Sequence, residues 1–134
     1  MSDFFIDKLI ETVYEKTGLQ QNPETTEEGH EFIIDGKHPI LMSYDDEAEH
    51  LLLTSVIDID VVPVTEQSEF YQYLLRAALN PLQNNGPGVG IEDESGKCIT
   101  YILVERHLLN VDLVCQKMVE LIDWNEKLLS RSEL

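Results

Sequence analysis

The chain of 134 residues is long enough to bury a core in one domain, 1–134, and too short for two. Its formal charge of -17 comes from acidic residues spread along the whole length, densest at 24–31, 45–49 and 92–94. Such a field repels phosphate backbones and anionic lipid headgroups, so neither nucleic acid nor a membrane surface is an expected partner, and basic or neutral proteins are.

Two cysteines, Cys98 and Cys115, lack the spacing of a metal knuckle or a redox pair; both fall in apolar segments and read as small hydrophobes. Residues 1–7 carry no basic leader and no long apolar run. Neither a cleavable signal nor a membrane span is therefore expected, and the expected location is the reducing cytoplasm.

In chain order, Ser2 or Asp3 caps a first helix in which Phe5, Ile6, Leu9, Ile10 and Val13 follow helical spacing, with Phe4 and Tyr14 widening the stripe. Gly18 stands where a left-handed terminal residue is wanted. Residues 20–29, with Pro23, two threonines and several acids, read as a solvated connection.

Residues 30–60 form the β half. Phe32-Ile33-Ile34 runs into Asp35-Gly36, a strong signal for a short hairpin; a two-residue turn and a longer bulged turn there put Ile40 and Met42 on opposite faces. Residues 37–44 return, 45–49 make a charged turn, and 50–59 form a third strand. Phe32 and Ile34 share one face with Ile33 on the other; Leu51, Leu53 and Ile57 oppose Leu52 and Val56. A sheet wetted on one side alternates cleanly. Apolar residues on both faces mean that the second face is covered, either by a helix of the same chain or by a partner.

Residues 68–82 organise the rest. Phe70, Leu74, Ala77 and Ala78 make one apolar stripe of a helix capped by Thr65 or Ser68, and Tyr71, Leu75, Leu79 and Leu82 make another. Two covers are needed: the body of the chain on one side and, on the other, more of the chain or a second copy. After a passage through 84–88 come a strand at 88–92, a turn at 94–97 and a strand at 98–104. Asn110 or Asp112 caps a last helix whose inner stripe is Val111, Val114, Met118, Leu121, Ile122, Leu128 and Leu129. The layout is α+β in the order α-β-β-β-α-β-β-α, helices packed on a largely antiparallel sheet.

No catalytic or metal constellation emerges. The glycines at 86, 88 and 90 leave a helix and enter a strand, opposite to a phosphate-binding loop, and read as a close backbone approach beside the central helix. His30, His38, His50 and His107 stand singly, without the i, i+4 spacing of a zinc helix. Asp58 and Asp60 share one side of a strand with no shielding pocket in view, and 45–49 lacks the glycine and the terminal glutamate of a calcium loop. Cys115 paired with His107 would make a nucleophile and base, but Cys115 belongs to the pattern of the last helix. No cofactor, metal or catalytic residue is expected.

Three signatures in this order resemble the class I type III secretion chaperones, the Tir-chaperone or CesT-like family of Gram-negative bacteria. They are Phe32-Ile33-Ile34-Asp35-Gly36 with the return Ile40-Leu41-Met42-Ser43-Tyr44; Tyr73-Leu74-Leu75-Arg76-Ala77-Ala78-Leu79 running into Gly88-Val89-Gly90-Ile91; and the closing helix through Trp124. The resemblance covers nearly the whole chain. It implies a cytoplasmic homodimer joined through Phe70, Tyr71, Leu74, Leu75, Ala78, Leu79, Val89 and Ile91. It also implies shallow apolar grooves, here Phe5, Leu9, Val13, Phe32, Ile34, Ile40, Met42, Leu51 and Leu53, for an extended N-terminal segment of a secreted effector. Such a dimer would hold the effector soluble and non-globular for export without ATP, with the ATPase of the export apparatus as a further partner. The short tail after the last helix departs from family members that use a long C-terminal extension.

Three other readings stand beside it. A regulator of the same fold would sequester an anti-activator or a secreted inhibitor. A small acidic enzyme would need paired titratable groups in a pocket. An acidic nucleic-acid mimic would need a DNA-binding protein as partner.

Overall fold

The computed structural model describes residues 4–18, 29–34 and 38–130. The elements are α1 (Phe4–Thr17), β1 (His30–Ile34), β2 (His38–Asp45), β3 (His50–Ile57), α2 (Gln67–Ala77), α3 (Asn80–Asn84), β4 (Gly88–Ile91), β5 (Cys98–Glu105) and α4 (Val111–Ser130). The strands form one antiparallel sheet in the order β1-β2-β3-β5-β4, which leaves β1 and β4 as its edges. This is the expected α+β arrangement. Contacts divide the chain into two compact units, Met1–Leu53 with Leu103–Val119, and Thr54–Ile102 with Glu120–Leu134.

In the first unit α1 buries Ile6, Leu9, Ile10, Val13 and Tyr14 as its spacing predicts, while Phe4 and Phe5 stay exposed. Gly18 adopts φ +70° and its N–H donates to the Tyr14 carbonyl at 3.0 Å, the expected helix end. The proposed caps, Ser2 and Asp3, lie outside the described residues. The Tyr14 ring stacks on Phe32 at 4.1 Å and its hydroxyl donates to the Glu31 carbonyl at 3.1 Å, which seats α1 on the β1 face.

The register of the first hairpin selects the longer of the two turns. Ile34 lies opposite His38, so three residues, 35–37, join the strands, and those three lie outside the described residues. Pairing Phe32 with Ile40 and His30 with Met42 puts Phe32, Ile40 and Met42 on one face; a one-residue slip would have sent Pro39 and Leu41 there instead. Phe32, Ile40, Met42, Leu51 and Leu53 are all fully buried. The charged turn after β2 forms as expected: Asp45 Oδ1 accepts the N–H groups of Glu47 and Ala48 at 3.0 and 3.1 Å, and Glu49 takes φ +54°.

β3 stops at Ile57 rather than at 59. Asp58 Oδ1 accepts the Asp60 N–H at 2.9 Å and opens a short 3-10 turn, Ile59–Val61. Leu53 and Ile57 are buried while Val56 is exposed, so the alternation read for this strand holds.

The second unit corrects the single central helix. α2 ends at Ala77 and α3 begins at Asn80, because Pro81 lacks the N–H that would bond to the Ala77 carbonyl and its ring crowds the preceding turn. Neither Thr65 nor Ser68 caps α2. The cap position is Glu66, whose side chain makes no capping bond, and Gln67 Nε2 donates to the Val62 carbonyl at 3.1 Å. Asn80 Nδ2 donates to the Pro87 carbonyl at 2.8 Å and fixes the passage into β4.

The close approach at the glycines is in part the expected one, since a Cβ on Gly86 would lie 2.7 Å from Asn80 Nδ2, but Gly88 differs. A Cβ on Gly88 would lie 2.4 Å from Cζ of Tyr101, its cross-strand partner on β5, so the bare backbone accommodates that ring rather than the central helix. The Gly88 carbonyl accepts Trp124 Nε1–H at 3.2 Å. Gly88→Ala is expected to lower the melting temperature by about 5–10 °C, the scale of ~2 kcal/mol of overpacking in a chain of this size. Adding Tyr101→Leu should restore most of the loss; a thermal scan showing no relief would remove this steric account.

Asn110 is the cap of α4, its Oδ1 accepting the Leu113 N–H at 2.8 Å. Val114, Met118, Leu121, Trp124 and Leu128 are buried, whereas Val111 and Ile122 are half-buried and Leu129 is exposed. Asn125 also faces inward. In the second unit its Nδ2 donates to Ser55 Oγ at 3.0 Å and its Oδ1 accepts Thr100 Oγ1–H at 2.6 Å, a polar triad with every member buried.

Candidate partner-binding surfaces

The second unit presents an apolar face without a cover among the described residues. On α2, Phe70, Leu74 and Ala77 are buried at i, i+4 and i+7, and Val89 of the neighbouring β4 is buried with them. The second stripe faces out: Tyr71 and Leu79 are exposed, Leu75 is 74% exposed, and Leu82 on α3 reaches 86%. Ile91 of β4 is exposed and Ala78 half-buried. The eight expected interface residues thus divide into three that hold α2 to its own unit, Phe70, Leu74 and Val89, and five with accessible surface. Leu82 belongs with the exposed set and is visible in the sequence as the last residue of the second stripe. β4 adds an open strand edge to this surface.

In the first unit, the expected groove residues Leu9, Val13, Phe32, Ile40, Met42, Leu51 and Leu53 are buried, and of the nine only Phe5 is exposed. Ile34 lies on β1, and its side chain is outside the description. The physical reason is mutual cover: the inner stripe of α1 needs an apolar seat, and the Phe32, Ile40 and Met42 face supplies it. The exposed large apolar side chains described in this unit are Phe4, Phe5, Ile33, Leu103, Leu108 and Val119. β1 is the second edge of the sheet, without a further strand among the described residues.

Two clefts flank α1. One, of about 500 Å³, is lined by Phe5, Ala48, Glu49, Glu105, Arg106 and His107. The Arg106 guanidinium carbon stands 5.1 Å from the Phe5 ring centroid and 5.6 Å from that of Tyr44, and Nη1 donates to the Tyr44 hydroxyl at 2.9 Å. The cluster joins residues from three distant stretches of chain, so no spacing in the sequence announces it. The other cleft, of about 450 Å³, is lined by Asp7, Ile10, Glu11, Tyr14, Glu15 and His30. Lys16 of α1 pairs with Asp112 at the start of α4.

Among the described residues the remaining titratable groups converge on no reacting centre. Among the described residues no three His, Cys, Asp or Glu side chains are placed to hold a metal ion. His107 Nδ1 lies 3.5 Å from Glu105 Oε2 with both side chains largely in solvent. Asp58 spends an oxygen on the turn that follows β3. Cys98 and Cys115 are free thiols, and burial raises both, Cys98 to about 11.

Because an unfolded thiol ionises near pH ~8.5 and the folded Cys98 near 11, its contribution to stability is complete below about pH 8.5 and is lost as pH rises through 11. Urea midpoints measured from pH 8 to 11 are expected to fall more steeply for the native chain than for Cys98→Ala. Parallel slopes would exclude the thiol as a cause. No helix among the described residues is long and apolar enough to cross a membrane.

No family model matches the sequence, and neither does any curated protein. Solved structures do. The chain is similar to the structure of the HopA1–SchA chaperone–effector complex at 28% identity, with 94% of this chain and 96% of that chain covered and a TM-score of 0.77. It is also similar to the crystal structure of the ExsC–ExsE complex, at 20% identity, coverage of 93% and 92%, and a TM-score of 0.64. The Yersinia pestis type III secretion chaperone SycH, in complex with a stable fragment of YscM2, matches at 20% identity, 90% and 97% coverage and a TM-score of 0.66. The α+β fold described above is the fold of these complexes.

Proposed function

We infer that this protein is a type III secretion chaperone of the class I, CesT-like kind, acting as a cytoplasmic homodimer in a Gram-negative bacterium. The carrying observation is the likeness to a chaperone–effector complex at 28% identity over 94% of the chain. The exposed stripe of Tyr71, Leu75, Leu79 and Leu82 supports the dimer, since a contiguous apolar face of this kind marks an interaction surface and closed two-fold pairing is the simplest way to cover it. Ala78 and Ile91 extend the same contact, and Phe70, Leu74 and Val89 fix α2 beneath it.

The secreted partner binds at the first unit. An extended N-terminal segment of an effector adds to the edge of β1, where Ile33 is exposed on the sheet face opposite Phe32, Ile40 and Met42; Phe5 on α1 is a further exposed apolar contact, and Leu9, Val13, Leu51 and Leu53 are buried as core together with those three. Binding masks apolar stretches of the effector and holds that segment non-globular for the export apparatus and its ATPase. Sequestration needs neither nucleotide nor turnover, so the mechanism is one of affinity rather than of catalysis. Co-expression with secreted proteins encoded beside it tests this reading: an effector soluble only with the chaperone, and co-purifying with it, is the expected result. Effectors equally soluble alone and none retained would contradict it.

A further inference from the structure

Resting on the dimer reading, we propose that a second copy of this chain packs directly on the bare backbone of β4 at Gly90. Gly90 sits in an unbroken ladder, opposite Ile99 of β5. It adopts no left-handed conformation, and among the described residues a Cβ on it would meet nothing within 4 Å. Its neighbours differ: Asn80 leaves no room for a side chain at Gly86, and the Tyr101 ring leaves none at Gly88. A glycine inside a strand weakens it and marks a bulge, a bend or a close approach. The regular register excludes a bulge, and no described residue of the subunit approaches, so the approach comes from another molecule.

Charge and symmetry make that molecule a second copy. With a charge of -17 on each chain, two copies repel one another over most of their surfaces. None of the 26 acidic residues falls between 70 and 91, the longest stretch free of them, and Arg76 is its only charge. The same stretch carries the exposed Tyr71, Leu75, Leu79, Leu82 and Ile91, and β4 packs against α2 within it. A basic partner would be drawn instead to the acids elsewhere. In a two-fold contact a residue near the axis meets its own image. A side chain there obstructs itself, whereas glycine lets the two copies close.

The test reads subunit stability and self-association separately in Gly90→Ala and Gly90→Val. Valine suits an extended strand better than glycine, and the position is open in the subunit. At low protein concentration, in the Leu75→Asp background, Gly90→Val should therefore raise the melting temperature by about 4 °C. In the otherwise native chain, sedimentation equilibrium should show self-association weakened about tenfold by alanine and about a hundredfold by valine, because the added side chain is obstructed on both copies. Self-association of the native chain should tighten as salt rises, since screening relieves the repulsion between like-charged copies.

A Gly90→Val chain that dimerises as tightly as the native one overturns the contact at Gly90 and leaves the dimer reading standing. So does a Gly90→Val subunit less stable than its parent, which would show that the glycine serves the subunit itself. Unchanged self-association with loss of a co-expressed secreted protein would assign the close approach to that protein and overturn the second copy as occupant. Self-association that weakens as salt rises overturns the charge argument. A native chain that stays monomeric at every concentration overturns the dimer reading, and this contact with it.

Discussion

Leu75→Asp is expected to convert the proposed dimer to monomer while the subunit stays folded. Leu75 is 74% exposed in the isolated chain, so its replacement disturbs no internal packing. In the proposed dimer the same position is covered, and the aspartate is buried without a counter-charge, at about 3–5 kcal/mol. That cost weakens self-association by about two to four orders of magnitude. Far-UV circular dichroism and the thermal transition, extrapolated to low concentration, should match those of the native monomer. Leu74→Asp is the contrast. Leu74 is 5% exposed and packs inward, so a charge there should unfold the subunit rather than release it. Sedimentation separates the outcomes: a folded dimer of the Leu75 variant would exclude this face as the interface.

Asn125→Ala is expected to be the most destabilising substitution on the inner face of α4. It removes the acceptor of the buried Thr100 hydroxyl and a donor to Ser55, and leaves a small cavity. Together these cost about 3 kcal/mol, or roughly 10 °C in melting temperature. Replacing all three members, with Ser55→Ala, Thr100→Val and Asn125→Leu, should recover most of that stability, because the three side chains then hold no polar group that needs another of the three as its partner. The triad would in that case secure the register of α4 within the second unit more than its stability. A triple variant as unstable as Asn125→Ala would show that the hydrogen bonds themselves stabilise the fold.

What the sequence makes legible follows from periodicity. The two stripes of α2 are written at i, i+4 spacing, and the structure buries Phe70, Leu74 and Ala77 while exposing Tyr71, Leu75, Leu79 and Leu82. The alternation of β3 is equally plain in Leu51, Leu53 and Ile57. Register was not legible. Asp35-Gly36 suits more than one loop length, and only the observed pairing of Ile34 with His38 decides which residues face the core. Nor does a strand pattern say whether its apolar face meets a helix of the same chain or a partner, which is why Phe32, Ile40 and Met42 read as groove and pack as core. The apolar run reads as one helix through Leu82, while Pro81 within it lacks the N–H that would continue the ladder and breaks the helix there. Asn125 carried a signal too, as a polar residue four positions after Leu121 on an inward stripe.

The central claim is a dimer that captures one secreted protein, and light scattering coupled to size exclusion tests it most directly. The chain would be run alone and after co-expression with secreted proteins from its own locus. The expected result is a mass of two chains alone, and of two chains with one effector after co-expression. A chain that elutes as a monomer and gains no mass with any secreted protein would contradict the account.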